Sequence, residues 1–293
     1  MKRSEGFVLV NALVLVAALA AAAVFVMSRA ETGRARLSAV QTSDQLTSYL
    51  DGFEAYATSR LVVGVEAVAT GAVDVDRGAV SGALIDMDRK FNINWLAAGN
   101  ASELEEVLRR ALATVGARAA VADIIIEAVS PGQVGNRRAY RAMDPPLNPV
   151  GGPRTLPSEL RLIQGLTPSD LTKVERVATV LPSDSGLNIN RADPVVVAAF
   201  FPEVTQPQIA RILAQRDDAP FTSVQYFLDE VALVQGSAVG TDVDVSVLTV
   251  DSTWFEVTAQ ARLDGFSARR TTVLERRSSF FVPRVWWRVT TYP

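Results

Sequence analysis

Neither cysteine nor histidine occurs anywhere in the 293 residues. Without cysteine there are no disulfides, no thiolate nucleophile and no cysteine-built zinc site; without histidine, Ser-His-Asp and Cys-His pairs and every histidine-ligated metal are excluded too. Catalysis would have to run on carboxylates or lysine. Among 32 acidic residues carboxylate pairs arise by chance, so the chain is not read as an enzyme. A basic excess is also lacking. With 29 Lys and Arg against 32 Asp and Glu, the net charge is -3, no overall field holds a polyanion, and nucleic acid is not the expected partner. Proline is absent before Pro131, and the only glycines between Phe7 and Val63 are Gly33 and Gly52. Little in that first stretch breaks a helix.

What stands there instead is MKRSEGFVLVNALVLVAALAAAAVFVM, in which Asn11 is the only polar side chain between Phe7 and Met27. At ~1.5 Å per helical residue this stretch spans roughly 31 Å, close to the ~30 Å of a hydrocarbon core. Lys2 and Arg3 precede it, which favours a cytoplasmic N-terminus and an external C-terminal part, although Arg29, Arg34 and Arg36 weaken the bias. Three readings of the segment stand side by side: a secretory signal cut after Ala30, a plain anchor, or a leader processed at the Gly6-Phe7 junction. The apolar run is longer than the ~7–15 residues of a secretory signal.

Beyond the span, Leu46, Tyr49, Leu50, Phe53, Tyr56, Ala57 and Leu61 recur at three- and four-residue intervals, so the helix is expected to continue to about residue 62. Gly71 to Gly82 reads as a polar connection and Ala83 to Asp88 as a strand. Ser102 with Glu105 predicts a capping box opening a helix, and Ala117 to Val129 a second helix. A long loop follows from Gly132 to Pro157. Helical pattern resumes at Ser158–Leu160, Ser169–Leu181, Pro194–Phe200, Pro207–Gln215 and Ser223–Val234. The last 40 or so residues read as strands: Phe255 to Leu263, a hairpin turn at Asp264-Gly265, Phe266 to Arg276, then Phe281, Val285, Trp287 and Val289 in alternation. An early strand, a helical block and a closing antiparallel meander predict an α+β fold, one sheet with a helical domain inserted into it.

Gly186-Leu187-Asn188-Ile189-Asn190-Arg191-Ala192-Asp193 and the run after it resemble a helix-hairpin-helix unit, of which Glu159 to Pro182 reads as a degenerate copy. Such modules often bind DNA, which makes a membrane-anchored, competence-type DNA receptor the alternative function. The turn Phe201 to Pro207 argues against it. It has no glycine, carries Glu203, and ends on a proline without the N–H that a phosphate needs. Asn188 and Asn190 are read as turn and capping residues rather than ligands. Aspartates spaced by two (Asp74 with Asp76, Asp86 with Asp88, Asp242 with Asp244) offer hard oxygen ligands to calcium, the only cofactor the sequence hints at. A solvated acidic surface is the stronger reading, because calcium takes six or more oxygens.

In order and spacing, several stretches resemble minor pseudopilin K of the type II secretion system, the general secretion pathway protein K family. They are Gly6-Phe7 with its helix, Phe91-Asn92-Ile93-Asn94, Leu156-Pro157-Ser158-Glu159-Leu160-Arg161-Leu162 with Gly165, Leu187 to Ala192, Arg216 with Pro220-Phe221, and Trp254-Phe255. One departure is Asp123-Ile124-Ile125-Ile126-Glu127, where that family tends to carry Asp-Trp-Ile-Asp. The resemblance implies a pilin-like long N-terminal helix packed on an antiparallel sheet, with a large inserted α-helical domain of helix-hairpin-helix or SAM-like type. On it the chain divides into a leader 1–6, a transmembrane part 7–27, a spine and first strand region 28–92, the inserted domain 93–250 and closing strands 251–293. It implies removal of the leader after Gly6 by the prepilin peptidase and methylation of Phe7. It also implies anchorage in a bacterial inner membrane with the C-terminal domain in the periplasm, and partners among I- and J-type minor pseudopilins, the pseudopilus and the inner-membrane secretion platform. In most pilin-like subunits the fifth mature residue is a glutamate that pairs with a neighbour's N-terminal ammonium. Here it is Asn11, a loss typical of the K family that fits a subunit at the tip of the fibre, nucleating or capping it.

Overall fold

The computed structural model describes residues 4–277 apart from 66–67, 99–100, 133–136, 150 and 239–243, and residues 282–292. Helix α1 (Ser4–Val62) is unbroken, as the missing prolines predict. Its two halves meet different surroundings. From Val10 to Val40 the side chains are exposed, whereas Leu46, Leu50, Phe53, Ala57 and Leu61, spaced four, three, four and four apart, are buried. That stripe lies on β7 (Trp254–Leu263), against Phe255, Val257, Ala259, Ala261 and Leu263. Each large side chain buried there contributes about 1.5–3 kcal/mol, so the rear half of α1 is held by its face and not by propensity alone.

The sheet runs β1-β2-β7-β8-β9 and every neighbouring pair is antiparallel. Its first two strands differ from the expectation. The stretch read as a connection plus one strand is a hairpin of β1 (Val68–Val75) and β2 (Gly78–Asp86), turning at Asp76-Arg77 with Arg77 at φ 61°. The pattern is obscured by small residues and by the register shift between Thr70 and Val73, which breaks the period of two. Strand β2 ends at Asp86, so Asp86 and Asp88 do not project together from one strand. Gly82 has a packing reason to be glycine, because a Cβ there would sit 2.4 Å from the ring of Phe53, which rests on it.

The closing strands β7, β8 (Phe266–Glu275) and β9 (Arg284–Thr291) follow the sequence reading, with Asp264-Gly265 at positive φ in the hairpin turn. The expected alternation along the last strand breaks at Trp286. Val285 pairs with Leu274 and Trp287 with Val273, across a register shift that puts them on opposite faces. Phe281 lies outside the described residues.

The segment 87–253 connects two adjacent strands, and its described residues fold as a helical block. It consists of β3 (Phe91–Asn92), α2 (Ser102–Thr114), α3 (Ala120–Val129), α4 (Arg137–Arg141), α5 (Pro168–Val177), β4 (Ala178–Thr179), β5 (Leu187–Asn188), α6 (Pro194–Phe200), α7 (Gln206–Ala214), α8 (Val224–Gln235) and β6 (Leu248–Thr249). Ser102 lies inside α2 and does not cap it. The cap position is Ala101, with no side-chain bond. The loop from Gly132 to Pro157 contains the short α4, whose Tyr140 is buried.

The block contains two copies of one arrangement. Phe91-Asn92-Ile93-Asn94 opens the first, with β3 and β4 parallel; Leu187-Asn188-Ile189-Asn190 opens the second, with β5 and β6 parallel. In each, the first asparagine accepts from the backbone N–H of the second, 3.0 Å for Asn92 and 2.8 Å for Asn188. The second asparagine then clasps a distant backbone segment. Asn94 accepts from Arg154 N and donates to Arg154 O and Leu181 O, each at 2.7 Å. Asn190 accepts from Phe221 N at 2.8 Å and donates to Phe221 O and Val250 O at 3.0 and 3.1 Å. Two residues past each clasped residue stands the next cap, Leu156 before a 3-10 turn and Ser223 before α8. The degenerate copy therefore starts at Phe91, well before the expected Glu159.

Candidate functional site: the spine, the neck and the helical hairpin

Gly6, Phe7 and Asn11 lie in the first turns of α1, where Phe7 is 69% exposed and Asn11 is exposed. This is the one helix among the described residues long and apolar enough to cross a membrane. The rear half of α1 is pinned by polar contacts as well as by its apolar stripe. Glu54, buried, accepts a hydrogen bond from Thr272 Oγ1 at 2.8 Å and from the Arg288 guanidinium, and Arg270, also buried, donates to Asp51. Arg270 and Glu54, both buried, also face each other at 3.7 Å, and removing one leaves the other's charge uncompensated, so the group fixes how α1 is rotated on the sheet.

A second polar cluster sits where the chain leaves the sheet and returns to it. Asp86 Oδ1 accepts from Asp88 N at 2.9 Å, and its other oxygen from Ser252 Oγ, which in turn accepts from Asn188 Nδ2 at 2.6 Å. Asp88 Oδ2 accepts from Thr253 N and Trp254 N at 2.6 and 3.0 Å, and its backbone carbonyl accepts from Asn188 N at 2.7 Å. The outgoing strand end, the return into β7 and the second repeat thus meet on two carboxylates. Asp88 Oδ1 is buried with no partner. Burial, aided by the nearby Asp86 charge, pushes the Asp88 carboxyl up to about 7 against the pull of the two N–H groups and of Arg276.

Among the described residues no three acidic side chains come close enough to hold a metal ion. Asp74 and Asp76 are exposed at the end of the first hairpin. Asp244 accepts from Ser246 N and Oγ, and Asp242 lies outside the described residues.

The helix-hairpin-helix reading holds as geometry, since α6 and α7 pack on each other through the turn Phe201–Thr205, with Phe201 and Val204 buried. Its chemistry is inward. Arg216 donates to Ile189 O and Ala192 O, both at 2.8 Å, so this arginine closes the second repeat. At the N-terminus of α7, Gln208 Oε1 already accepts from Thr205 N and Oγ1, and Pro207 has no N–H to offer an anion. Of the two asparagines the sequence points to, Asn190 is the backbone clasp just described, while Asn188 accepts from Asn190 N and donates to Ser252 Oγ. The sequence offers Asp88 only as a metal ligand, and its part where the chain leaves and rejoins the sheet follows from contacts with residues more than 160 positions away.

Two family models, both described as type II secretion system, protein K, match residues 89–183 and 187–251, together more than half of the chain. The chain belongs to the protein K family of the type II secretion system. It is thus a minor pseudopilin, from a family of structural parts of that secretion apparatus. The two matched stretches coincide with the two asparagine-clasped repeats, so the family models and the internal duplication divide the chain at the same place. No curated protein matches the chain. A solved structure of the GspK-GspI-GspJ complex from the enterotoxigenic Escherichia coli type 2 secretion system contains a chain 22% identical, with a TM-score of 0.69 over 87% of this chain and 99% of that one. At that identity the likeness is one of fold. It takes in more of the chain than the family models do and so reaches beyond the inserted block.

Proposed function

We propose that this protein K family member is processed between Gly6 and Phe7, stays in the inner membrane with its N-terminus cytoplasmic, and joins I- and J-type minor pseudopilins at the tip of a periplasmic pseudopilus. The observation that carries the reading is the division of labour along α1. Its first half is apolar and uncovered, its second half is the spine of a folded domain, and no turn separates them. A helix so built delivers its domain to the membrane surface in a fixed attitude. Lys2 and Arg3 favour the stated orientation. Asn11 supports the tip position, since a neutral amide is cheaper to bury than a carboxylate, and a subunit with no earlier subunit above it needs no charge for a neighbour's ammonium. The division into leader, membrane helix, spine, inserted domain 93–250 and closing strands is part of the same proposal.

The test is co-purification of the full chain from detergent-solubilised membranes with the I- and J-type pseudopilins of the same cell. The expected outcome is one complex containing all three. If the I and J subunits are recovered together and this chain elutes alone, the assignment fails.

A further inference from the structure

A cleft of about 520 Å³ opens between the sheet and the helical block, lined by Ala69, Ala83 and Ile85 of the first hairpin and by Arg89, Arg191 and Arg216. All three arginines are tied to the second repeat. Arg89 O accepts from Asp193 N at 3.3 Å and Arg191 N donates to Asn188 O at 3.0 Å, while the two Nη1 bonds of Arg216, to Ile189 O and Ala192 O, fix the plane of its guanidinium. Two of these cations keep unused donors. Arg216 is half-buried, and its Nε and Nη2 have no hydrogen-bond partner among the described residues; Arg89 is exposed and makes no side-chain hydrogen bond or ion pair among them. Burial, with the Arg191 and Arg89 charges, pulls the Arg216 guanidinium below its ordinary value against the opposing Asp217 and Asp193. The acidic groups do not cancel this excess. Asp86 is taken by Asp88 N and Ser252 Oγ, and Asp193 caps α6 by accepting from Val195 N at 2.9 Å, which leaves the exposed Asp217 as one lining carboxylate against two such guanidinium groups.

We infer that this cleft binds a small divalent oxyanion, of the organic phosphate or dicarboxylate class, clamped between the guanidinium groups of Arg89 and Arg216. Guanidinium groups present paired N–H donors that match carboxylate and phosphate oxygens, and a bound dianion neutralises two cations that otherwise repel each other. Arg216 is oriented before the ligand arrives, so only Arg89 has to be ordered on binding. The volume is that of a small-ligand site and leaves room beside the charged group for a compact body against Ala69, Ala83 and the 39% exposed Ile85. Asp217 disfavours a longer polyanion, whose further charges would meet it. Arg89 belongs to the segment that leaves the sheet and Arg216 closes the second repeat, so the bound ion ties the helical block to the sheet.

Inorganic phosphate and succinate are the probes, each titrated into the full chain in detergent against sodium chloride of equal ionic strength. The expected result is a saturable rise in melting temperature of about 2–4 °C with one probe or both, the larger rise giving the class. Arg89→Gln removes one of the two clamping charges and is expected to abolish the rise, whereas Arg211→Gln, at an exposed position of α7, is expected to keep it. In chloride alone Arg89→Gln should melt no lower than the unsubstituted chain, because it takes away a charge that opposes Arg216. An arginine with a merely structural role would lower the melting temperature there, and that result overturns the inference. So does the absence of a rise with either probe, or an equal, unsaturating rise in all three proteins, the behaviour of ions excluded from protein surfaces in general.

Discussion

Asp88→Asn is expected to raise the melting temperature of the detergent-solubilised chain by about 5–10 °C at pH 8, by roughly a third of that at pH 5, and hardly at all below about pH 4. Asp88 is 1% exposed, has one carboxylate oxygen without a partner, and has its carboxyl pushed from 3.8 to about 7 by burial first and then by Asp86. The folded chain therefore holds this proton up to about pH 7, whereas the unfolded chain releases it near pH 4. Between those values the folded state binds more protons. Stability falls as the pH climbs through that window, and the whole loss is present above pH 7. A shift of that size corresponds to about 4 kcal/mol at most, and relaxation of the site brings the expectation to about 2–4 kcal/mol. Asparagine keeps the acceptor that Thr253 N and Trp254 N require and removes the buried charge. Thermal melts of both proteins across pH 5 to 8 check this, and curves that stay parallel would show that Asp88 does not carry the dependence.

The second large effect is at the clasps. Asn94→Ala should cost about 3–5 kcal/mol, because it strips partners from Arg154 N, Arg154 O and Leu181 O at a position only 2% exposed. Asn190→Ala removes the same three kinds of bond at a half-buried site, where water can take some of them up, and should cost about 1–2 kcal/mol. Denaturant unfolding monitored by tryptophan emission checks the pair, with Trp95 inside the first repeat as a local reporter. Equal losses at the two positions would mean that burial does not set the cost.

Much of this was legible in the sequence for definite reasons. The spine could be read because its pattern is long, free of proline and periodic over many turns, and the β7–β8 hairpin because Asp264-Gly265 is a strong turn signal between alternating strands. Strand β1 was hidden by glycine and a bulge that shifts its register after Thr70. The first repeat was half seen, since its second half carries recognisable helix starts while its beginning is a two-residue strand and an asparagine turn, too short for any periodicity. Asn190 stands in a turn as expected, whereas Asn188 ends the two-residue strand β5, and the segments they hold could not be read. Phe221 and Val250 are brought to Asn190 by the tertiary fold and by nothing local. The neck was missed for the same reason. Asp86 and Asp88 looked like an acidic pair on a strand, and only the return of the chain at Ser252 to Trp254 turns them into acceptors.

Cleavage at the Gly6-Phe7 junction separates a pseudopilin from a secreted protein or a plain anchor. Intact-mass and N-terminal peptide measurements on the chain recovered from its native membrane test it most directly. The expected result is a polypeptide starting at methylated Phe7, replaced by the uncut chain when the prepilin peptidase is removed; a mature chain cut after Ala30, or one left uncut while the peptidase is present, would contradict the account.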